Sequence, residues 1–214
     1  MGRPLVALPV PEGPRVLDLL PTLGRALAGD GPALLPVPAD DPDEAARLCS
    51  AADVDRPLAP DEDDDADPTA VVVSTSGSTG VPKGALLPVS ALRASAAATE
   101  ARLGGPGRWL LALPARHVAG LQVLLRSVAA GTTPEVLDLR GGFDPAAFVA
   151  ATGRLADSPR RYTSLVPTQL VRLLDEPSAH EALTSYDAVL VGGAATPRPV
   201  LERALAAGVR AVTT

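Results

Sequence analysis

From Ala70 onward, short apolar runs alternate with longer segments of helical spacing, and this alternation constrains the chain more than any other feature. Strands are expected at Ala70–Val73, Trp109–Leu113, Val136–Asp138, Tyr162–Val166, Tyr186–Val191 and Val209–Thr213. Helices are expected between them, at about 89–103, 118–130, 145–155, 167–175 and 197–207. Pro167 suits a first helical turn, Thr196 an N-cap and Gly208 a helix stop. Strands separated by helices imply crossover connections, hence an α/β fold with a mostly parallel sheet and flanking helices. Ligands in such folds bind at the carboxyl ends of the strands.

The first 69 residues are less regular. A helix is expected over 14–28 despite Pro21, a short strand at Ala33–Leu35 and a second helix over 43–52. The run Pro60 to Pro68 carries six acidic residues, which repel one another and favour neither helix nor strand, so a solvated linker is expected there. It contains no glycine to turn a calcium loop. The chain therefore divides into an N-terminal helix–strand segment, 1–69, with the acidic linker at 60–68, and a regular α/β portion, 70–214. With 46% apolar but only 2% aromatic residues, the core must be built from Ala, Val and Leu. Cys49 is the single cysteine, which leaves no internal disulfide and no cysteine-rich metal site. The net charge of −6 and the lack of a basic stripe argue against a nucleic-acid partner. No apolar run reaches the ~18–20 residues of a membrane span, and the N-terminus does not read as a signal peptide. A cytoplasmic location is the expectation, and a homo-oligomer is compatible with it.

The informative loop is Ser74-Thr75-Ser76-Gly77-Ser78-Thr79-Gly80-Val81-Pro82-Lys83-Gly84, which follows an apolar strand. Five hydroxyl side chains and three glycines fall within its eleven residues. Glycines let backbone N–H groups approach a ligand closely, and successive N–H groups with hydroxyls can wrap a phosphate. Of the 19 basic residues 18 are Arg, and the one Lys is Lys83, a mobile point charge placed where a phosphate needs one. A plain Gly/Ser turn would explain the glycines but not the placement of the lysine. The Walker-type loop fails, because Pro82 stands where its second Gly is required and Gly84 follows Lys83.

Thr75 to Gly84 matches the hydroxyl-rich Thr-Gly, one variable residue, Pro-Lys-Gly pattern of adenylate-forming enzymes at every position. The sequence thus resembles the superfamily of acyl-CoA synthetases, luciferases and peptide-synthetase adenylation domains. Within it the resemblance is strongest to the o-succinylbenzoate–CoA ligase family of menaquinone biosynthesis, carried by Leu113–Ser127, Tyr162–Leu170 and Val189–Pro197. It runs from about residue 70 to the end and is weak before that. It implies an ATP-dependent activation of a carboxylic acid as acyl-adenylate, with magnesium, followed by thioester formation with coenzyme A.

Site roles follow from the resemblance. Thr75, Ser76, Gly77, Ser78, Thr79, Gly80 and Lys83 would hold the ATP phosphates, with Thr79 a magnesium ligand. Gly192, Gly193 and Ala194 would bind the adenine and adenylate, although a tight turn alone would also call for glycines there. His117, Arg116, Gly120, Arg126 and Thr168, with Gln169 beside it, would line the acid pocket, and His117 is the one candidate for a catalytic role. An o-succinylbenzoate-like acid has one carboxylate to activate and a second to anchor, and Arg116 or Arg126 is the expected anchor. His180 receives no role. A ligase for another aryl or acyl acid, or a non-catalytic nucleotide-binding module, also fits these residues. The chain stops at Thr214, where the family continues into a Tyr-Gly-x-Thr-Glu motif and later a small domain with a catalytic lysine. The 214 residues alone are therefore expected to have little ligase activity.

Overall fold

A computed structural model of the protein describes residues 2–75 and 83–214. The chain forms two sheets. The first has the order β1 (Leu5–Val10), β2 (Ala33–Pro38), β3 (Thr69–Thr75) and β4 (Lys83–Pro88). β1, β2 and β3 run parallel, and β4 returns antiparallel to β3 with Thr75 opposite Lys83. The second sheet is wholly parallel, in the order β6 (Glu135–Val136), β5 (Arg108–Leu111), β7 (Arg161–Leu165), β8 (Ala188–Val191) and β9 (Ala211–Thr213).

Three helices lie between the sheets: α1 (Leu20–Ala28), α3 (Val89–Leu103) and α4 (Val118–Ala129). They share one core with both sheets, in which Leu34, Val71 and Val73 meet Trp109, Leu111, Leu121, Leu124, Tyr162 and Leu190. α2 (Pro42–Ala52) covers the outer face of the first sheet, where Leu35, Val37 and Val72 pack with Leu48 and Cys49. α5 (Pro145–Gly153), α6 (Pro167–Asp175), α7 (Pro177–Thr184) and α8 (Arg198–Ala206) cover the outer face of the second, over Leu110, Leu165, Val189 and Val191. Successive strand residues therefore feed different cores, as a period of two requires. Val71 and Val73 face inward and Val72 outward; Leu190 faces inward, Val189 and Val191 outward.

The expected α/β architecture with mostly parallel strands is present, but as two sheets and not one. β4 replaces the expected run of loop directly into helix. β1 is a strand although Pro9 interrupts its apolar pattern, because an edge strand tolerates a residue without an N–H donor. α7 also departs from expectation: it contains His180, whose Nε2 lies 2.9 Å from the Ala207 carbonyl oxygen.

The acidic run is not a solvated linker. Asp63 is buried and accepts hydrogen bonds from Arg3 Nε (3.1 Å), Arg3 Nη2 (2.8 Å) and the Thr69 amide (2.9 Å). Glu62 pairs with Arg56, and Asp67 accepts from the amide and hydroxyl of Ser90 at the start of α3. Glu62, Asp63 and Asp67 are each paired with a different donor, which fixes the entry to β3, while Asp61, Asp64 and Asp65 stay exposed to solvent. The hydrogen bond from Arg3, with that from Thr69, holds the Asp63 carboxyl below its ordinary range. A depressed folded pKa means stability that is present above the ordinary carboxylate pKa and lost as pH falls through the folded one. Asp63→Asn is expected to cost about 2 kcal/mol at neutral pH, and denaturant midpoints should converge with wild type in acid. A gap that persists unchanged at low pH would contradict this assignment.

Candidate functional site

Glu12, in the loop after β1, accepts a hydrogen bond from Arg116, in the loop after β5, at 3.4 Å. A small cavity lined by Val10, Leu111, Leu113 and Val136 separates the same strand ends. The carboxyl edges of the two sheets therefore share one side of the molecule. The hairpin β3–β4 opens at that edge, since β3 runs parallel to β1. Ser76, Gly77, Ser78, Thr79 and Gly80 lie outside the described residues. Thr75 closes β3 and Lys83 opens β4, so the loop leaves the sheet at the carboxyl end of β3, as expected.

A second cavity of about 230 Å³ lies at the carboxyl ends of β5, β7 and β8. Leu113, Ser164, Leu165 and Leu190 supply its strand side, and Val118, Ala119, Gln122 and Arg126 on α4 supply the other. Gly192, Gly193 and Thr214 form its rim. Gly193 has φ +77°, a backbone conformation that favours glycine, and Gly192 packs closely against the Thr214 side chain. At Gly193 the rim is bare backbone against which a flat ring could lie, with the Thr214 side chain beside Gly192. Ala194 is exposed and is not among the residues lining this cavity.

Two buried polar atoms in the cavity wall have no hydrogen-bond partner among the described residues: Gln122 Oε1 and Arg126 Nε. The residues are one turn apart on α4 and so share a face. No carboxylate among the described residues pairs with Arg126, whose guanidinium lies 5.3 Å above the centre of the Trp109 ring. Burial lowers the Arg126 pKa, yet an arginine remains charged. An enclosed cation without a counter-charge is costly, and an anion in the cavity would relieve that cost.

The other candidates separate. Arg116 is engaged by Glu12 and lines the small cavity, not the larger one. His117 caps the start of α4, is exposed and lines neither cavity; partial desolvation and the neighbouring Arg116 lower its imidazole pKa. Thr168 is exposed, away from the cavity. Gln169 uses both ends of its carboxamide on backbone: Oε1 accepts from the Val166 amide at 3.0 Å and Nε2 donates to the Ala112 carbonyl at 2.9 Å. It fastens α6 to the end of β5 and is not free for a ligand.

Gly120 does not line the cavity either. A Cβ there would stand 2.4 Å from the Pro114 carbonyl oxygen, so glycine lets the loop before α4 pack directly onto its first turn. Gly120→Ala is expected to destabilise the protein by about 2 kcal/mol through forced backbone displacement. An unchanged melting temperature would show that the loop can move aside.

Gln122 and Ser164 are wall residues that the sequence did not single out. The available signal was the spacing of Gln122 and Arg126, two polar residues on one face of an otherwise apolar helix.

The family model described as AMP-binding enzyme matches residues 20–213. A probable 2-succinylbenzoate–CoA ligase of Mycobacterium tuberculosis is 48% identical over 208 residues, covering 97% of this chain and 51% of that protein. The 2-succinylbenzoate–CoA ligase of Escherichia coli is 38% identical over 138 residues, 64% of this chain and 27% of that protein. Among solved structures, a malonyl-CoA ligase with methylmalonyl-CoA and AMP bound superimposes with a TM-score of 0.75 at 26% identity, over 97% of this chain and 50% of the other. Wild-type E. coli MenE with a bound analogue of OSB-AMS superimposes with a TM-score of 0.65 at 25% identity, over 100% of this chain and 49% of the other. The chain spans about half the length of the M. tuberculosis relative and of both solved structures. No helix among the described residues is long and apolar enough to cross a membrane.

Proposed function

We propose that this chain, which belongs to the AMP-binding enzyme family, supplies the ATP-phosphate loop and the acid pocket of a ligase that activates a dicarboxylic aryl acid, most simply o-succinylbenzoate, for transfer to coenzyme A. The observation that carries the reading is Arg126, a cation enclosed in the cavity wall with an unpartnered Nε. Its counter-charge would be the ring carboxylate of the acid. The names of the 2-succinylbenzoate–CoA ligases similar to this chain support the same acid.

With the ring carboxylate on Arg126, the Gln122 carboxamide and the Ser164 hydroxyl are left to face the middle of the acid. The succinyl carboxylate then points to the Gly192–Gly193 rim, where the adenylate would lie. Its oxygen attacks the α-phosphorus of ATP, the bond to the pyrophosphate oxygen breaks, and a mixed anhydride results. Lys83 and the hydroxyls of 75–79 hold the charge leaving on pyrophosphate. Magnesium would be held by the phosphates and, as the resemblance implies, by Thr79, and would supply charge neutralisation; the described residues contain no cluster of acids, cysteines and histidines that would cage it alone. The thiol of coenzyme A then attacks the acyl carbon, and AMP leaves with the electron pair. His117 lies one residue before the wall residue Val118, and its imidazole would contribute a hydrogen bond to the acid only by turning toward the cavity.

Calorimetric titration with o-succinylbenzoate and with benzoylpropionate, which lacks the ring carboxylate, tests the reading. A charge-assisted contact to Arg126 should favour the dianion by about tenfold or more. Equal affinities would remove the anchored carboxylate from the account.

A further inference from the structure

A further cavity, of about 170 Å³, lies behind the acid pocket between α3, α4 and the amino ends of β5 and β7. Ala96, Leu103, Trp109, Ala130 and Tyr162 give it a largely apolar wall. Arg126 lines this rear cavity and the acid pocket alike, whereas Trp109, which lies under its guanidinium, lines only the rear one. One side chain therefore stands between two spaces. Among the described residues Arg126 is the one that lines both cavities.

We propose that Arg126 is the end wall of the acid pocket and sets the length of acid the protein accepts. Removing its bulk would join the two cavities and admit longer monocarboxylic acids with apolar tails. This rests on the reading of the front cavity as the acid site, but it concerns size, where that reading concerns charge. The guanidinium stacked over Trp109 keeps the wall in place, and a ligand carboxylate would hold it from the other side. The protein would thus exclude fatty acids twice: they bring no second carboxylate to Arg126, and their tails meet a closed wall.

The test is a binding series of hexanoate, octanoate and decanoate against wild type, Arg126→Ala and Arg126→Met, read by calorimetry with melting temperatures alongside. Wild type should gain nothing from added length. Arg126→Ala should gain about fourfold in affinity per methylene buried in the rear cavity. Arg126→Met removes the charge but keeps the bulk, so its series should stay flat. Adding Ala130→Leu to Arg126→Ala refills the rear cavity and should flatten the series again. Arg126→Ser serves in place of alanine should the alanine variant not fold. A flat series in a folded Arg126→Ala or Arg126→Ser protein overturns the proposal, as does a methionine variant that gains as much as alanine. If wild type does not bind o-succinylbenzoate while the alanine series still rises, the wall stands and the acid reading falls.

Discussion

Replacing Lys83 by alanine is expected to lower acid-dependent turnover of ATP to pyrophosphate by about 10²–10³-fold, with a smaller loss of ATP affinity. Lys83 is the only lysine among 19 basic residues and opens β4 directly after the phosphate loop. The charge it meets grows as pyrophosphate departs, so its contribution is larger in the transition state than in the bound ground state. Lys83→Arg should recover only part of the loss, because a planar fork cannot take the place of a compact ammonium close to glycine backbone. The measurement that checks the proposed role is pyrophosphate release under saturating acid and ATP. A loss confined to the Michaelis constant for ATP, with turnover intact, would make Lys83 a docking group only.

The second large effect belongs to Arg126→Met. Affinity for o-succinylbenzoate should fall by about 30–100-fold, reflecting roughly 2–3 kcal/mol for a charged hydrogen bond in an enclosed site. Affinity for benzoylpropionate should change little, since that acid brings no ring carboxylate to the guanidinium. The free protein should meanwhile gain stability or hold it, because a partly buried cation with no carboxylate partner among the described residues is removed from a wall that methionine fills. That opposite movement of stability and binding separates an anchoring residue from a packing one, for which both would fall. Arg116→Met gives the contrast: Arg116 is engaged by Glu12, and its loss should leave the affinity for both acids within a few-fold of wild type.

Much of the second sheet was legible in sequence because each strand there is a short apolar run bounded by helix signals. Trp109, Tyr162 and Val189 fall in strands where the pattern places them. The first sheet was less legible. Pro9 in β1 and Gly84 with Pro88 in β4 weaken the local strand signal, and both segments are edges held by a neighbour distant in the chain or across the hairpin. Nor could local pattern tell one sheet from two. That division depends on α1, α3 and α4 having apolar contacts on opposite sides, which only the tertiary packing reveals. The acidic run misled for a similar reason: the partner that buries Asp63 is Arg3, sixty residues away.

The site shows the same limit. The loop 74–84 is a contiguous motif, so its proposed phosphate role can be read from sequence alone, while residues 76–82 lie outside the described ones. Arg116 and Arg126 could not be ranked from spacing, because what separates them is Glu12, a partner 104 residues distant from Arg116. Gln122 and Ser164 become wall residues only once α4 is set against β7 and β8. Gly120 and Gln169 were read as pocket residues, but close backbone packing and backbone hydrogen bonds use them fully.

The central claim is that nucleotide loop and acid cavity form one adenylate site. Titration of the protein with the non-hydrolysable sulfamoyl analogue of o-succinylbenzoyl-adenylate, set beside AMP and o-succinylbenzoate separately, tests it most directly. The account predicts that the joined ligand binds at least about a hundredfold more tightly than either part, as an intermediate analogue spanning both halves should. Binding no tighter than AMP would mean that the cavity beyond the Gly192–Gly193 rim takes no acyl group, and would leave a nucleotide-binding module without the proposed acid site.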